Sequence, residues 1–192
     1  AHAAYCADWA GLVSVVDRAG VVTGTFDIGS GPSAMTVDPS GRTLYVSHSK
    51  GYYDPGTLSV IDLATRALTA TIDVGKLPGS IAVDPTNHLA YVTNSYDGTV
   101  SVIDTTADTV TATVKVGTRP DAVVVDPDSH LAYIANGGDG TVSVISSALG
   151  FITRSTAAGI AAVVALLLVL PVIGQLLPYD WATDILNYLP GS

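Results

Sequence analysis

Short stretches of alternating hydrophobic and polar residues run through the first three-quarters of the chain. "TVSVID" (99–104) and "TATVKV" (111–116) alternate with a period of two, which predicts β-strands that bury one face. "IAVD" (81–84) and "VVVD" (123–126) are more continuously apolar and predict strands crowded on both sides. The intervening "DPTN", "SYDG" and "TTAD" are rich in turn-forming residues. We therefore expect strands at about 80–83, 89–93, 99–104 and 109–115.

This pattern is a repeat. Residues 78–117 resemble residues 31–75, and residues 119–146 copy most of the same unit. The tripeptide "VDP" begins at Val37, Val83 and Val125, so its copies are spaced by 46 and 42 residues (83 − 37 and 125 − 83). A period of this length that is made of four short strands is typical of the blades of a β-propeller.

Both ends of the repeat are cut within a unit. Residues 5–17 align with the second and third strands of a unit, and the repeat stops after a third strand at Ser146. The sequence therefore predicts an all-β, incomplete β-propeller with two whole units and two partial, three-stranded ones. Such a chain forms an open arc with exposed blade faces. Simple pairing of two copies would place six strands where a blade has four.

A tetrapeptide that begins with tyrosine recurs in each unit and resembles the signature of a known family. "LAYVTN" (89–94), with the copies "YCAD", "YVSH" and "YIAN", resembles the YVTN family of β-propeller repeats over residues 5–146. The resemblance implies a surface-exposed or secreted protein of bacteria or archaea that is seldom an enzyme. Lactonase-like and quinoprotein-like propellers share the fold, which keeps a propeller hydrolase as a further alternative.

After a junction at residues 147–156, the chain changes character. Residues 157–177, from Ala157 to Leu177, carry no charge and are long enough to cross a lipid bilayer as one transmembrane α-helix. Pro171 would kink that helix. The alternative is a buried helix of a soluble domain. Residues 178–192 predict a short amphipathic helix, whose tryptophan and tyrosines suit a membrane interface.

A second resemblance covers residues 148–190. Their "LLLVLP", "QLLP" and final "YLP" are similar to the carboxy-terminal end of an ABC-2-type transporter permease from actinobacteria. The resemblance implies partner transmembrane helices, although the chain has no Walker A motif and one helix makes no transport pathway. The only methionine is Met35, so we expect a removed leader or a fragment, and a chimera of two gene pieces is an alternative.

Two features of the sequence give opposite predictions for the side of the membrane on which the propeller lies. Arg154, just before the apolar segment, places the propeller in the cytoplasm by the positive-inside rule. The YVTN resemblance implies an extracytoplasmic propeller on a single-pass membrane protein.

Composition narrows the function classes. The 192-residue chain has a net charge of −9 and no basic patch, which argues against nucleic-acid binding. Cys6 is the only cysteine, so the chain forms no internal disulfide and no cysteine-rich metal site.

One variable polar position is the best candidate for ligand binding. His48, Asn94 and Asn136 each lie three residues after the repeat tyrosine, and Asp8 falls at the same place. This position is at a strand end near a propeller rim, where binding sites often lie. The alternative is a turn-forming cap.

Other polar residues have simpler explanations. His88 and His130 share a repeat position and could be metal ligands, but copying of a turn residue explains them without a carboxylate or cysteine cluster. The aspartates of "VDP" are expected to initiate turns. We predict no catalytic residue, no metal site and no cofactor.

Three hypotheses follow. The first is a non-enzymatic propeller module that binds a protein or glycan ligand through its blade rims and is held on a membrane. The second is a permease-like component of a membrane transporter, or a chimeric chain without a function of its own. The third is a lactonase-like enzyme.

Overall fold

The computed structural model describes residues 3–146 and the backbone strand Ile152–Ser155. Within these residues the chain is all β and forms four sheets, numbered here in chain order. Sheet 1 contains β1 (Ala4–Ala7), β2 (Leu12–Val16) and β3 (Val22–Asp27). Sheet 2 contains β4 (Pro32–Val37), β5 (Thr43–His48), β6 (Pro55–Asp62) and β7 (Ala67–Lys76). Sheet 3 contains β8 (Pro78–Asp84), β9 (Leu89–Asn94), β10 (Thr99–Asp104) and β11 (Thr109–Lys115). Sheet 4 contains β12 (Pro120–Val125), β13 (Leu131–Asn136), β14 (Thr141–Ser146) and β15 (Ile152–Ser155).

Strands that follow one another in the chain are neighbours in each sheet, and in sheet 3 every neighbouring pair is antiparallel. The strands of sheet 3 match the predicted ones closely, and the unit of four antiparallel strands is confirmed. The three-stranded sheet at the amino end is confirmed as well.

The prediction of a three-stranded last unit is wrong, because β15 forms the outer strand of sheet 4. This strand lies inside the segment that the sequence indicated as a junction. The physical reason is that a fourth strand is the exposed edge of its sheet. In β11 six of the seven side chains are exposed, so packing places few constraints on such a sequence. The repeat motif is consequently lost there while the strand persists.

Three apolar clusters hold successive sheets together. Strand β9 shows how the alternation serves this packing. Ala90 and Val92 lie in the cluster between sheets 2 and 3, whereas Tyr91 lies in the cluster between sheets 3 and 4. A third cluster, which contains Val13 and Val46, joins sheets 1 and 2. Sheets 2 and 3 are thus buried on both faces, which accounts for their continuously apolar strands.

The chain divides into two units after Arg154. The predicted transmembrane helix at 157–177 and the amphipathic helix at 178–192 lie outside the described residues. Within the described residues, no helix is long and apolar enough to span a membrane.

Candidate functional site

The three residues proposed from the sequence as ligand-binding lie at the ends of β5, β9 and β13. All three are buried: His48 is 6% exposed, Asn94 0% and Asn136 1%. Their surroundings differ, and the difference separates two structural bridges from one candidate binding group.

Asn94 is fully engaged with the protein. Its Oδ1 accepts a hydrogen bond from the backbone N–H of Gly75 at 3.1 Å. Its Nδ2 donates to Thr99 Oγ1 at 3.1 Å and to Ser101 Oγ at 2.9 Å. Both amide hydrogens are used, and Gly75 belongs to the last strand of the preceding sheet. Asn94 therefore bridges sheets 2 and 3.

Asn136 repeats this arrangement one sheet further along. Its Oδ1 accepts from Gly117 N at 3.1 Å, and its Nδ2 donates to Thr141 Oγ1 at 3.1 Å and to Ser143 Oγ at 3.0 Å. Gly117 follows the last strand of sheet 3, so this amide bridges sheets 3 and 4. The two asparagines are at strand ends, as predicted, but they are interior and support the structure.

The glycines opposite these amides are required for the close approach. A Cβ atom on Gly75 would lie 2.6 Å from Asn94 Cγ, and one on Gly117 would lie 2.5 Å from Asn136 Cγ. Carbon atoms do not approach so closely, so a larger residue would push the amide away from its partners.

His48 makes no such bridge. Its Nδ1 lies 3.3 Å from the carbonyl oxygen of Ser30, and its Nε2 is buried without a hydrogen-bond partner among the described residues. A carbonyl only accepts, so this contact places the proton on Nδ1 and leaves Nε2 as an acceptor. Burial lowers the pKa of His48, although the bond to Ser30 acts in the opposite direction. The neutral ring is thereby favoured.

A cleft of about 400 Å³ opens beside His48 between sheets 1 and 2. Thr57 and Ser59 line it, and they occupy the repeat positions of Thr99 and Ser101, the two hydroxyls that Asn94 binds. Trp9 and Lys50 lie at its mouth and are exposed. With histidine in place of asparagine, a buried acceptor nitrogen without a partner and two hydroxyl-bearing residues belong to the lining of an open cleft.

Exposed aromatic side chains continue from this cleft along one edge of the sheets, here called the aromatic rim. They lie in the loops that join β1 to β2, β5 to β6 and β9 to β10, and they are Trp9, Tyr52, Tyr53 and Tyr96. The rings of Tyr53 and Tyr96 meet edge to face, with centroids 5.5 Å apart, so neighbouring loops touch. Lys76 Nζ lies 5.7 Å from the centre of the Tyr96 ring.

The two repeat histidines in turns do not form a site together. His130 Nδ1 lies 3.0 Å from Asp84 Oδ2, and Asp84 is almost completely buried. Asp84 also accepts the backbone N–H of Thr86, as the predicted turn requires. His88 and His130 both have a left-handed backbone, with φ of 55° and 56°. Within the described residues, no three metal-binding side chains come together.

Sequence reasoning named His48 but missed Trp9, Thr57 and Ser59. Two signals in the sequence could have indicated the cleft. Histidine replaces asparagine in only one of the later units, and the loop after the tyrosine-containing strand carries an aromatic residue in each of the first three units.

Comparison with solved structures identifies the fold. Over 70% of its length, the chain is similar to Kuenenia stuttgartiensis hydrazine synthase, with 29% sequence identity and a TM-score of 0.60. It is also similar to a functionally unknown protein from Desulfotomaculum acetoxidans DSM 771 and to the dihydro-heme d1 dehydrogenase NirN in complex with DHE. Each of these covers 78% of the chain with a TM-score of 0.65, at 18% and 17% identity.

The chain spans 38%, 50% and 34% of these three proteins, respectively. No protein-family model and no curated protein matches the chain. The YVTN and permease resemblances therefore stay predictions. Hydrazine synthase and NirN are β-propeller proteins, and the four packed sheets of the chain correspond to propeller blades. The described part of the chain has a β-propeller fold.

Proposed function

We propose that the chain is a non-enzymatic β-propeller binding module that takes a neutral glycan at the His48 cleft and the adjoining aromatic rim. The observation that carries this proposal is the buried Nε2 of His48, which has no partner among the described residues and belongs to a side chain that lines an open cleft. A buried acceptor without a hydrogen bond costs about 1–3 kcal/mol, and a ligand that donates to it recovers that energy.

The chemistry of the cleft suits hydroxyl groups. His48 Nε2 accepts a hydrogen from a ligand hydroxyl, while Thr57 and Ser59 both donate and accept. The exposed face of Trp9 and the rings of the aromatic rim offer flat apolar surfaces for the C–H face of a sugar ring. A few polar groups that point into a pocket lined by aromatic side chains are typical of sites that bind small molecules.

The test is a titration of the full chain, solubilised in a detergent without a sugar head group, with cellohexaose, chitohexaose and mannohexaose. Calorimetry should show binding of at least one of them. Trp9→Ala and His48→Asn should each weaken that binding at least about tenfold, because each removes a contact of roughly 1.4 kcal/mol. Leu68→Ala is the matched control, since Leu68 is exposed on β7, outside the rim. If all three sugars fail to bind, or if His48→Asn binds as well as the natural chain, the proposal is wrong.

We also propose that residues 157–177 attach this module to a membrane, because the segment is uncharged and of spanning length. The full chain should float with liposomes through a density gradient. Val164→Arg together with Leu167→Arg should abolish flotation, because each charge near the bilayer centre costs about 2.5–3.5 kcal/mol. A natural chain that stays with the soluble fraction would contradict membrane attachment.

We propose that the propeller faces outward from the cell, as the YVTN resemblance implies. Leu68 is exposed on β7 and lies outside the faces that pack between sheets, so Leu68→Cys in a Cys6→Ser background supplies a single accessible thiol that reports the orientation. A membrane-impermeant maleimide should label Leu68→Cys in intact cells. Labelling only after lysis would place the propeller in the cytoplasm, in agreement with the position of Arg154.

A further inference from the structure

Sheet 4 has an apolar face that nothing in the described residues covers. Val124 is 62% exposed and Val142 44% exposed on this face. Val100, the repeat equivalent of Val142 in sheet 3, is 0% exposed because sheet 4 covers it. Tyr133 is likewise half-buried, whereas its equivalent Tyr91 is completely buried. We call this surface the trailing face of sheet 4.

Sheet 1 has the opposite open face, which we call its leading face. Ala4 and Cys6 are exposed there. Their repeat equivalents in sheet 3, Ala90 and Val92, are completely buried in the cluster between sheets 2 and 3. The same two strand positions are therefore core residues in one sheet and surface residues in the other.

The two open faces are the two halves of one interface. At each of the three interfaces within the chain, two such faces meet. The face that corresponds to the trailing face of sheet 4 packs against the face of the next sheet that corresponds to the leading face of sheet 1. We propose that the trailing face of sheet 4 packs against the leading face of sheet 1 in a second copy of this chain. The contact is head to tail and continues the packing seen between the sheets of one copy.

A polar pair at the interface between sheets 3 and 4 has counterparts in the sequence of the first and last units. Asp84 of sheet 3 meets His130 of sheet 4 at 3.0 Å. Asp126 is the repeat equivalent of Asp84 in sheet 4, and His2 occupies the sequence position of His130 in the first unit. The sequence therefore repeats the aspartate position of this pair in the last unit and its histidine position in the first unit.

The fourth strand of sheet 4 removes the obstacle to closure that the sequence suggested. Each copy supplies four separate sheets, so no blade has to be assembled from two partial ones. Two copies supply twice four sheets, and propellers close with about four to eight blades. A two-fold axis then generates two identical contacts and uses both open faces of each copy.

Cross-linking of the full chain in detergent tests the contact. Val142→Cys places a thiol on the trailing face, where a short bis-maleimide should join it to Cys6 of a second copy and yield covalent dimers. The natural chain, with Cys6 alone, and Leu68→Cys, with its new thiol on the exposed edge strand β7, should stay monomeric on a denaturing gel. Equal cross-linking in Leu68→Cys, or none in Val142→Cys, would overturn the proposal.

Light scattering after gel filtration supplies an independent measurement. The natural chain should have a protein mass of two or more copies, and Val124→Asp with Val142→Asp should weaken association at least about tenfold, since a buried unpaired charge costs several kcal/mol. Circular dichroism confirms that the variant is folded. A natural chain that is monomeric, or an oligomer that survives the two aspartates, would show that these faces do not pair between copies.

Discussion

Replacing Asn94 with alanine removes three hydrogen bonds from a side chain that is 0% exposed. At about 1 kcal/mol of net stabilisation for each bond, the loss amounts to about 3 kcal/mol. The unpaired N–H of Gly75 adds to this loss, because no water replaces the amide without rearrangement of the interface. A single domain has only about 5–15 kcal/mol of stability, so the change should be large.

The matched control is His48→Ala at the same repeat position. His48 contributes one long hydrogen bond, at 3.3 Å to Ser30, and it carries an unpaired buried nitrogen that alanine removes. We therefore expect His48→Ala to cost about 1 kcal/mol or less. The predicted difference between the two variants, about 2 kcal/mol, arises because Asn94 bridges two sheets and His48 does not.

Urea unfolding of the full chain in a mild non-ionic detergent, followed by circular dichroism, measures both variants. Asn94→Ala should lower the midpoint without a change of slope, which is the signature of lost stability alone. If Asn94→Ala costs less than about 1 kcal/mol, or no more than His48→Ala, then the buried amides do not hold the sheets together.

Three further predictions concern the same interfaces. The free energy of unfolding should fall as the pH drops below about 6.5. Burial lowers the pKa of His48 in the folded chain, so below this pH the unfolded chain binds more protons than the folded chain. In urea titrations at pH 5 and pH 7.5, His48→Asn should reduce this dependence on pH. A double-mutant cycle of Asp84→Asn and His130→Ala should give a coupling energy of about 1 kcal/mol or more, and additive effects would show that the 3.0 Å contact is weak. Gly75→Ala should lower the free energy of unfolding by about 1–3 kcal/mol, because the added Cβ would lie 2.6 Å from the buried amide of Asn94. Gly79→Ala should cost less, because its added Cβ would lie 3.2 Å from the nearest atom, Thr93 Oγ1. Thermal unfolding measures both variants.

Periodicity predicted the strands well because repetition reports one structural unit several times. In sheet 3 the strands β9, β10 and β11 begin at the predicted residues, and β8 begins two residues earlier than expected. Strands β8, β9 and β10 pack against sheets on both sides, so their sequences are strongly constrained, whereas β11 keeps the repeat although six of its seven side chains are exposed. β15 was missed because an edge strand has little packing to preserve and carries no trace of the repeat.

The candidate site was predicted only in part. The sequence identified the position of His48, Asn94 and Asn136, but it could not show that the two asparagines are interior. That depends on the backbone N–H groups of Gly75 and Gly117, each 19 residues earlier in the chain, and hydrophobic patterns do not report such a contact. Nor could it show that His48 Nε2 lacks a partner, because this follows from the shape of the imidazole and not from its polarity.

The same position in the repeat therefore has two physical outcomes. An asparagine there reaches a backbone N–H and two hydroxyls at once, and its sheet interface is closed. The histidine bonds instead to the Ser30 carbonyl, while the N–H of Gly29 is satisfied by the carboxylate of Asp27. The interface between sheets 1 and 2 consequently contains a cleft and a buried acceptor, which lower stability in the absence of a ligand. The departure at His48 supports the proposed binding role, because natural sequences tolerate local inconsistency mainly at functional or strained sites. Ligand binding at His48 should then stabilise the interface that lacks an asparagine bridge.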